Sequence, residues 1–183
     1  KNILKNLDEF GFSAKEISFD ISKVVKRSRN VAKQLSSGME NLLKKNKVEL
    51  LNGFGKISGV NGRLRNVEVK DKDGKLINVA GKNIIIATGA RARLLPGIET
   101  DGDSIWTYKE AMVPSALPES LLIIGSGAIG VEFASFYNDM GVDVTLVEVL
   151  DKILPVEDQE ISLFAEQTFS KQGIKIKTSS KVL

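Results

Sequence analysis

Leu121-Leu122-Ile123-Ile124-Gly125-Ser126-Gly127-Ala128-Ile129-Gly130 is the stretch on which the fold turns. Four apolar residues read as a buried strand, and the glycines then run into a helical pattern over Ala128–Met140 that Gly141 closes. Val144–Val147 reads as a second strand, Glu157–Gln172 as a helix stopped by Gly173, and Ile174–Lys177 as the start of a third strand. Strands alternating with helices predict a parallel sheet covered by helices. A lone G-x-G-x-x-G is weak, but here it joins a strand to a helix, and Glu148 follows 23 residues after Gly125, near the ~20 expected of a dinucleotide-binding βαβ unit.

Each residue of that unit has a physical task. Gly125 permits a tight turn, Gly127 lets backbone approach a pyrophosphate, and Gly130 lets the helix pack close to the sheet. Ser126, Ala128, Ile129 and Val131 complete the loop and first turn, whose N–H groups and dipole favour phosphate. The Glu148 carboxylate can accept from the adenosine ribose hydroxyls. A 2′-phosphate there would meet like charge, a repulsion on the order of several kcal/mol in partial burial. Val149 and Leu150 follow, so no arginine is at hand for a phosphate, and NAD is expected over NADP. Glu132 reads either as a carboxylate favoured near a helix N-terminus or as a contact to the nicotinamide end.

Upstream, residues 20–45 read as one amphipathic helix capped by Asp20, its apolar face (Val31, Leu35, Met39 among others) packed on a core and its basic face solvated. A β region follows: a short strand at Lys47–Leu51, a hairpin about Asn61-Gly62, a turn at Asp73-Gly74, and a buried strand at Ile84–Ile86. Residues 91–118 read as loop, with a domain boundary near 118.

Composition limits the chemistry. With 183 residues, 42% hydrophobic, the chain can bury a core, and a net charge of +3 gives no ground for nucleic-acid binding. No apolar run reaches the ~20 residues of a membrane span. Cysteine and histidine are absent, which excludes disulfides, Cys/His zinc sites, and thiol or imidazole catalysis by these residues; no metal site and no catalytic residue is expected within them. The first residue is Lys1 rather than Met, so a start partway through a gene product is expected.

Leu117-Pro118-Glu119-Ser120 leading into the glycine run, and Ile85-Ile86-Ala87-Thr88-Gly89-Ala90, together resemble the flavoprotein disulfide reductases that bind two dinucleotides. With Asn52–Ile57 and Val142–Glu148, the sequence most resembles the dihydrolipoamide dehydrogenases among them, over all 183 residues. The resemblance implies an α/β chain with two incomplete Rossmann-like domains: residues 1–118 from an FAD-binding segment with an antiparallel β meander, and 119–183 from an NAD-binding domain. It implies an enzyme more than twice this length, in which a cysteine pair outside this chain oxidises dihydrolipoamide and electrons pass through FAD to NAD. By position, Gly55, Thr88, Gly89 and Ala90 would meet FAD. Gly125 to Glu132, Glu148 and Val182 would meet NAD, with Glu132 at the nicotinamide side. Ala90 departs from the serine often found there, which leaves a backbone contact but puts a side-chain one in doubt.

The resemblance further implies a homodimer that serves the acyltransferase core of a 2-oxoacid dehydrogenase complex. The implied location is the bacterial cytoplasm, or the mitochondrial matrix in a eukaryote. Two alternatives stand beside it: another flavoprotein disulfide reductase, glutathione- or mercuric-reductase-like, and a short non-catalytic dinucleotide-binding protein. The unfinished third strand weighs against the latter, since it leaves an open sheet edge.

Overall fold

The computed structural model describes residues 7–14, 16 and 18–182. They form two compact units, Arg27–Arg93 and a second holding residues up to Lys26 and from Leu94 onward.

Helix α1 spans Ile21–Lys45. It starts as the sequence predicts: the N–H groups of Ser22 and Lys23 donate to Asp20 Oδ1 at 2.8 and 3.4 Å. At its other end Lys47 adopts a left-handed φ of 58°. Lys47 N–H donates to the Lys44 carbonyl and Val48 N–H to the Leu43 carbonyl, the paired bonds of a Schellman closure. This overturns the strand expected at Lys47–Leu51, because its first two amides are committed to the helix end. The core-packed face is also corrected: Val31, Leu35, Met39 and Leu42 are exposed, and no residue of α1 is buried.

β1 (Phe54–Asn61), β2 (Leu64–Lys70) and β3 (Leu76–Gly81) form an antiparallel meander in the order β1-β2-β3. The hairpin is where the sequence puts it, shifted by one residue. Asn61 pairs with Leu64, so the central residues are Gly62 and Arg63, with Gly62 at φ 58°. A glycine first in a two-residue loop is the type II′ pattern. A bulge between Ile57 and Gly59 interrupts the β1 register. The second turn is organised by Asp71, whose Oδ1 accepts from the N–H groups of Asp73 (2.9 Å) and Lys75 (2.8 Å). The strand expected at Ile84–Ile86 is not formed; Ile85 is 91% exposed. A strand needs a neighbour to take its ladder bonds, and among the described residues none lies beside it.

The second unit is built on parallel β strands. A one-turn helix, α2 (Tyr108–Ala111), stands within the stretch read as loop; a reciprocal capping box between Thr107 and Glu110 starts it. Then come β4 (Ser120–Ile124), α3 (Ala128–Met140), β5 (Asp143–Val147), α4 (Gln159–Lys171) and β6 (Lys175–Lys177). The sheet order is β4-β5-β6, all parallel, with Leu121 beside Val144 and Thr145 beside Lys175. α4 starts two residues later than the sequence suggests, because Asp158 is its cap and takes the Glu160 N–H at 2.8 Å.

β5 is the middle strand and carries the core: Val144 and Leu146 are wholly buried. Val131, Ala134 and Tyr137 of α3 pack on it with Val142, Ile153 and Ile174. Tyr137 stands edge-on to Phe136 at 5.2 Å, and its hydroxyl donates to the Ala111 carbonyl at 2.8 Å, which ties α2 to α3. Burial pushes that phenol up to about 12. No helix of the described residues is long and apolar enough to cross a membrane.

Candidate functional site

The glycine-rich loop lies between β4 and α3, beside the end of β5. Gly125 continues the sheet by donating to the Val147 carbonyl at 2.8 Å, then turns at φ 97°. Gly127 caps α3 with extended backbone and no side-chain bond. The first intrahelical bond runs from Val131 N–H to the Gly127 carbonyl. The N–H groups of Ala128, Ile129 and Gly130 therefore precede the helix ladder, and no acidic side chain occupies the first turn.

The three fingerprint glycines answer to different demands. A Cβ on Gly130 would strike the Gly125 carbonyl oxygen, with Ile123 Cγ2 at 3.7 Å. Helix–sheet closeness was the expected reason; the loop's own backbone is the tighter constraint. A Cβ on Gly127 would meet nothing within 4 Å. Protein packing does not require glycine there, whereas an anion drawn against the helix N-terminus would. The residues present thus fit a bound pyrophosphate.

Glu148, at the end of β5, is only 6% exposed. Its Oε2 accepts from Ser126 N–H (2.9 Å) and Ser126 Oγ (2.7 Å), and its Oε1 from Leu150 N–H (3.0 Å). Burial pushes its pKa up, but the hydrogen bonds from Leu150, from the backbone and side chain of Ser126, and from Val149 outweigh this and hold the carboxyl below its ordinary value. The acid is thus an ionised group fixed against the loop rather than in solvent. Its own backbone is fixed too: its N–H donates to the Lys177 carbonyl, and its carbonyl accepts from Ser180 N–H. Val182 follows two residues later and is partly buried. Glu132, one turn into α3, is exposed.

In the other unit Gly55 lies on β1 opposite Val69, and a Cβ there would make an ordinary 3.7 Å contact with Val67. Thr88, Gly89 and Ala90 lie outside regular structure and are exposed; Gly89 has φ 74°. These residues leave main chain open to a flat ligand, which is compatible with FAD. The sequence reading missed Gly53, where a Cβ would sit 2.5 Å from the Lys70 carbonyl oxygen. It also missed Ser126 as the partner of Glu148, and the bond from Leu154 N–H to the Ser126 carbonyl. Nothing in the spacing signals either bond: the first follows from the β4–β5 register, carried on by the Gly125 bond to Val147, and the second from how the loop after β5 folds back.

Fold and loop together define a dinucleotide-binding βαβ unit. The family described as pyridine nucleotide-disulphide oxidoreductase matches residues 3–183, and the chain belongs to that family. It is 48% identical over 177 residues to the dihydrolipoyl dehydrogenase of Zymomonas mobilis, covering 97% of this chain and 37% of that protein. With the dihydrolipoyl dehydrogenase of Bacillus subtilis it shares 39% identity over 98% of this chain and 39% of the relative. Among solved structures it is similar to LpdA of Mycobacterium tuberculosis (TM-score 0.86, 26% identity, 98% of this chain and 39% of that one). It also resembles the HOCl-induced flavoprotein disulfide reductase RclA of Escherichia coli (TM-score 0.71, 27% identity, 90% and 36%). The chain thus spans well under half the length of these relatives.

Proposed function

We propose that this chain is part of an NAD-dependent dihydrolipoyl dehydrogenase, with residues 1–118 belonging to its FAD-binding segment and 119–183 to its NAD-binding domain. The relatives that carry this name support the reading. The observation that carries the nucleotide choice is the ionised Glu148 held against the glycine loop by Ser126 and Leu150.

In this reading the loop amides of residues 127–130 hold the NAD pyrophosphate, Glu148 receives a ribose hydroxyl, and Val182 lies beside the adenine. Glu132 lies toward the nicotinamide. Gly55, Thr88, Gly89 and Ala90 lie along FAD. FAD, when bound, supplies the two-electron step between dithiol and nicotinamide. The residues present contain neither thiol nor imidazole, so their part is to bind and orient. A dithiol–disulfide exchange would need cysteines outside them, and the 183 residues alone should not turn over dihydrolipoamide. The same reading carries a homodimer, a place in a 2-oxoacid dehydrogenase complex, and a cytoplasmic location.

The test is NAD reduction by the intact protein with dihydrolipoamide. NAD should be preferred over NADP by on the order of a hundredfold in kcat/KM, about 2.7 kcal/mol of discrimination. Turnover of other disulfides but not dihydrolipoamide would move the protein elsewhere in the family. Equal use of NADP would refute the role given to Glu148.

A further inference from the structure

Ser126 lies in the glycine loop, yet it is wholly buried and every polar group it has is engaged. Its carbonyl accepts from Leu154 N–H at 2.9 Å, while its N–H and Oγ both donate to one oxygen, Glu148 Oε2. The remaining oxygen, Oε1, takes the Leu150 N–H. A carboxylate has about four acceptor directions. Both directions on Oε2 go to Ser126, whereas Oε1 takes the Leu150 amide, with the Val149 amide also beside the carboxylate, so Oε1 is the oxygen left to face a ligand.

We propose that Ser126 is a positioning residue for nucleotide selectivity: by engaging both acceptor directions of Glu148 Oε2, it fixes the carboxylate so that Oε1 alone is offered to a single adenosine ribose hydroxyl. This rests on the NAD reading above and deepens it. The other donors to the carboxylate are main-chain amides, which survive any side-chain change; the Ser126 hydroxyl is the part of the clamp that the sequence selects. The terminal torsion of a glutamate is broad, so without that hydroxyl Oε2 keeps one donor and gains an open acceptor direction that can compete for the ribose, and Oε1 loses its fixed aim. A 2′-phosphate is repelled by the charge in either orientation, so the loss falls on NAD.

The experiment measures dissociation constants of the intact protein for NAD, for NAD lacking the adenosine 2′-hydroxyl, and for NADP, in the unaltered protein, Ser126→Ala and Ser126→Thr. Hydrogen bonds to a charged group are among the strong ones, so removing the 2′-hydroxyl should weaken binding to the unaltered protein at least roughly tenfold. In Ser126→Ala that dependence should shrink to about twofold. The NAD-over-NADP ratio should narrow by a similar factor, with NADP affinity little changed. Ser126→Thr keeps the donor and should retain the full dependence on the 2′-hydroxyl, whatever its overall affinity. If Ser126→Ala weakens all three ligands equally, or leaves the 2′-hydroxyl dependence intact, Ser126 only supports the loop and the inference falls. If the unaltered protein binds no NAD, the NAD reading falls as well, so the two failures are distinguishable.

Discussion

The two units solve the problem of burial differently. In the parallel unit a middle strand is covered by helices, so Val144, Leu146, Tyr137 and Ile153 lose all contact with water. In the meander unit the strands are defined by turn chemistry and ladder bonds, and Val69 is the one buried hydrophobic side chain among the described residues. α1 carries an apolar stripe as regular as any in the molecule, yet none of its residues is buried, and of that stripe only Ile21, Val24, Val25 and Leu43 are partly covered. A hydrophobic pattern therefore specifies which face wants cover, while the cover itself must come from a second element.

Matched substitutions expose that difference most strongly. Leu146→Ala should cost about 2–5 kcal/mol, because a wholly buried leucine leaves a cavity. Leu35→Ala, at a side chain 70% exposed, should change stability by no more than about 0.5 kcal/mol. Denaturant unfolding of the intact protein, with hydrogen exchange at the β5 and α1 amides, separates the two. A large loss at Leu35 would mean that α1 is covered in the intact protein, and the contrast would dissolve.

The same contrast governs what could be read in advance. In the parallel unit, glycine spacing, an apolar run and periodicity all pointed one way, and Ala128–Met140 is a helix with the bounds expected. Local signals also sufficed for the Asp20 cap, the Gly62 hairpin and the Asp73-Gly74 turn, since each is decided by residues a few positions apart. Ile84–Ile86 was not legible, because a strand is defined by a neighbour and an apolar run does not reveal whether one is present. Lys47 was missed because a left-handed closure usually announces itself with glycine. Thr107-x-x-Glu110 did announce a helix start, but surrounding prolines read more loudly. At the site, the acid and the glycines could be placed from spacing alone. The Ser126 clamp could not, because it needs both the β4–β5 register that sets Ser126 beside Glu148 and the path of residues 149–154 that brings in the Leu150 and Leu154 amides.

A second pair of substitutions separates glycines kept for packing from those kept for a ligand. Gly130→Ala forces a methyl onto the Gly125 carbonyl and should cost about 1–3 kcal/mol of stability. Gly127→Ala adds a methyl where no protein atom lies within 4 Å. Its stability should stay within about 0.5 kcal/mol, yet nucleotide affinity should collapse. Calorimetric NAD titration beside thermal unfolding distinguishes the two. Undiminished affinity in Gly127→Ala would mean that no ligand approaches that backbone.

The smallest effect concerns how helices end in the two regions. α3 and α4 close on glycines, Gly141 at φ 95° and Gly173 at φ 102°, whereas α1 closes on Lys47 at φ 58° with the same pair of backward bonds. A side chain in that conformation costs about 1–2 kcal/mol, and glycine gives back part of the difference through its larger unfolded-state freedom, roughly 0.5–1 kcal/mol. Lys47→Gly should therefore stabilise the end of α1 by about 0.5–1 kcal/mol, read as slower exchange of the Lys47 and Val48 amides, while Gly141→Ala should destabilise by a similar amount. If Lys47→Gly instead loosened the helix end, the lysine side chain would have to be held by a contact worth more than the strain of its backbone. The meander unit would then be organised by side chains where the parallel unit is organised by glycine.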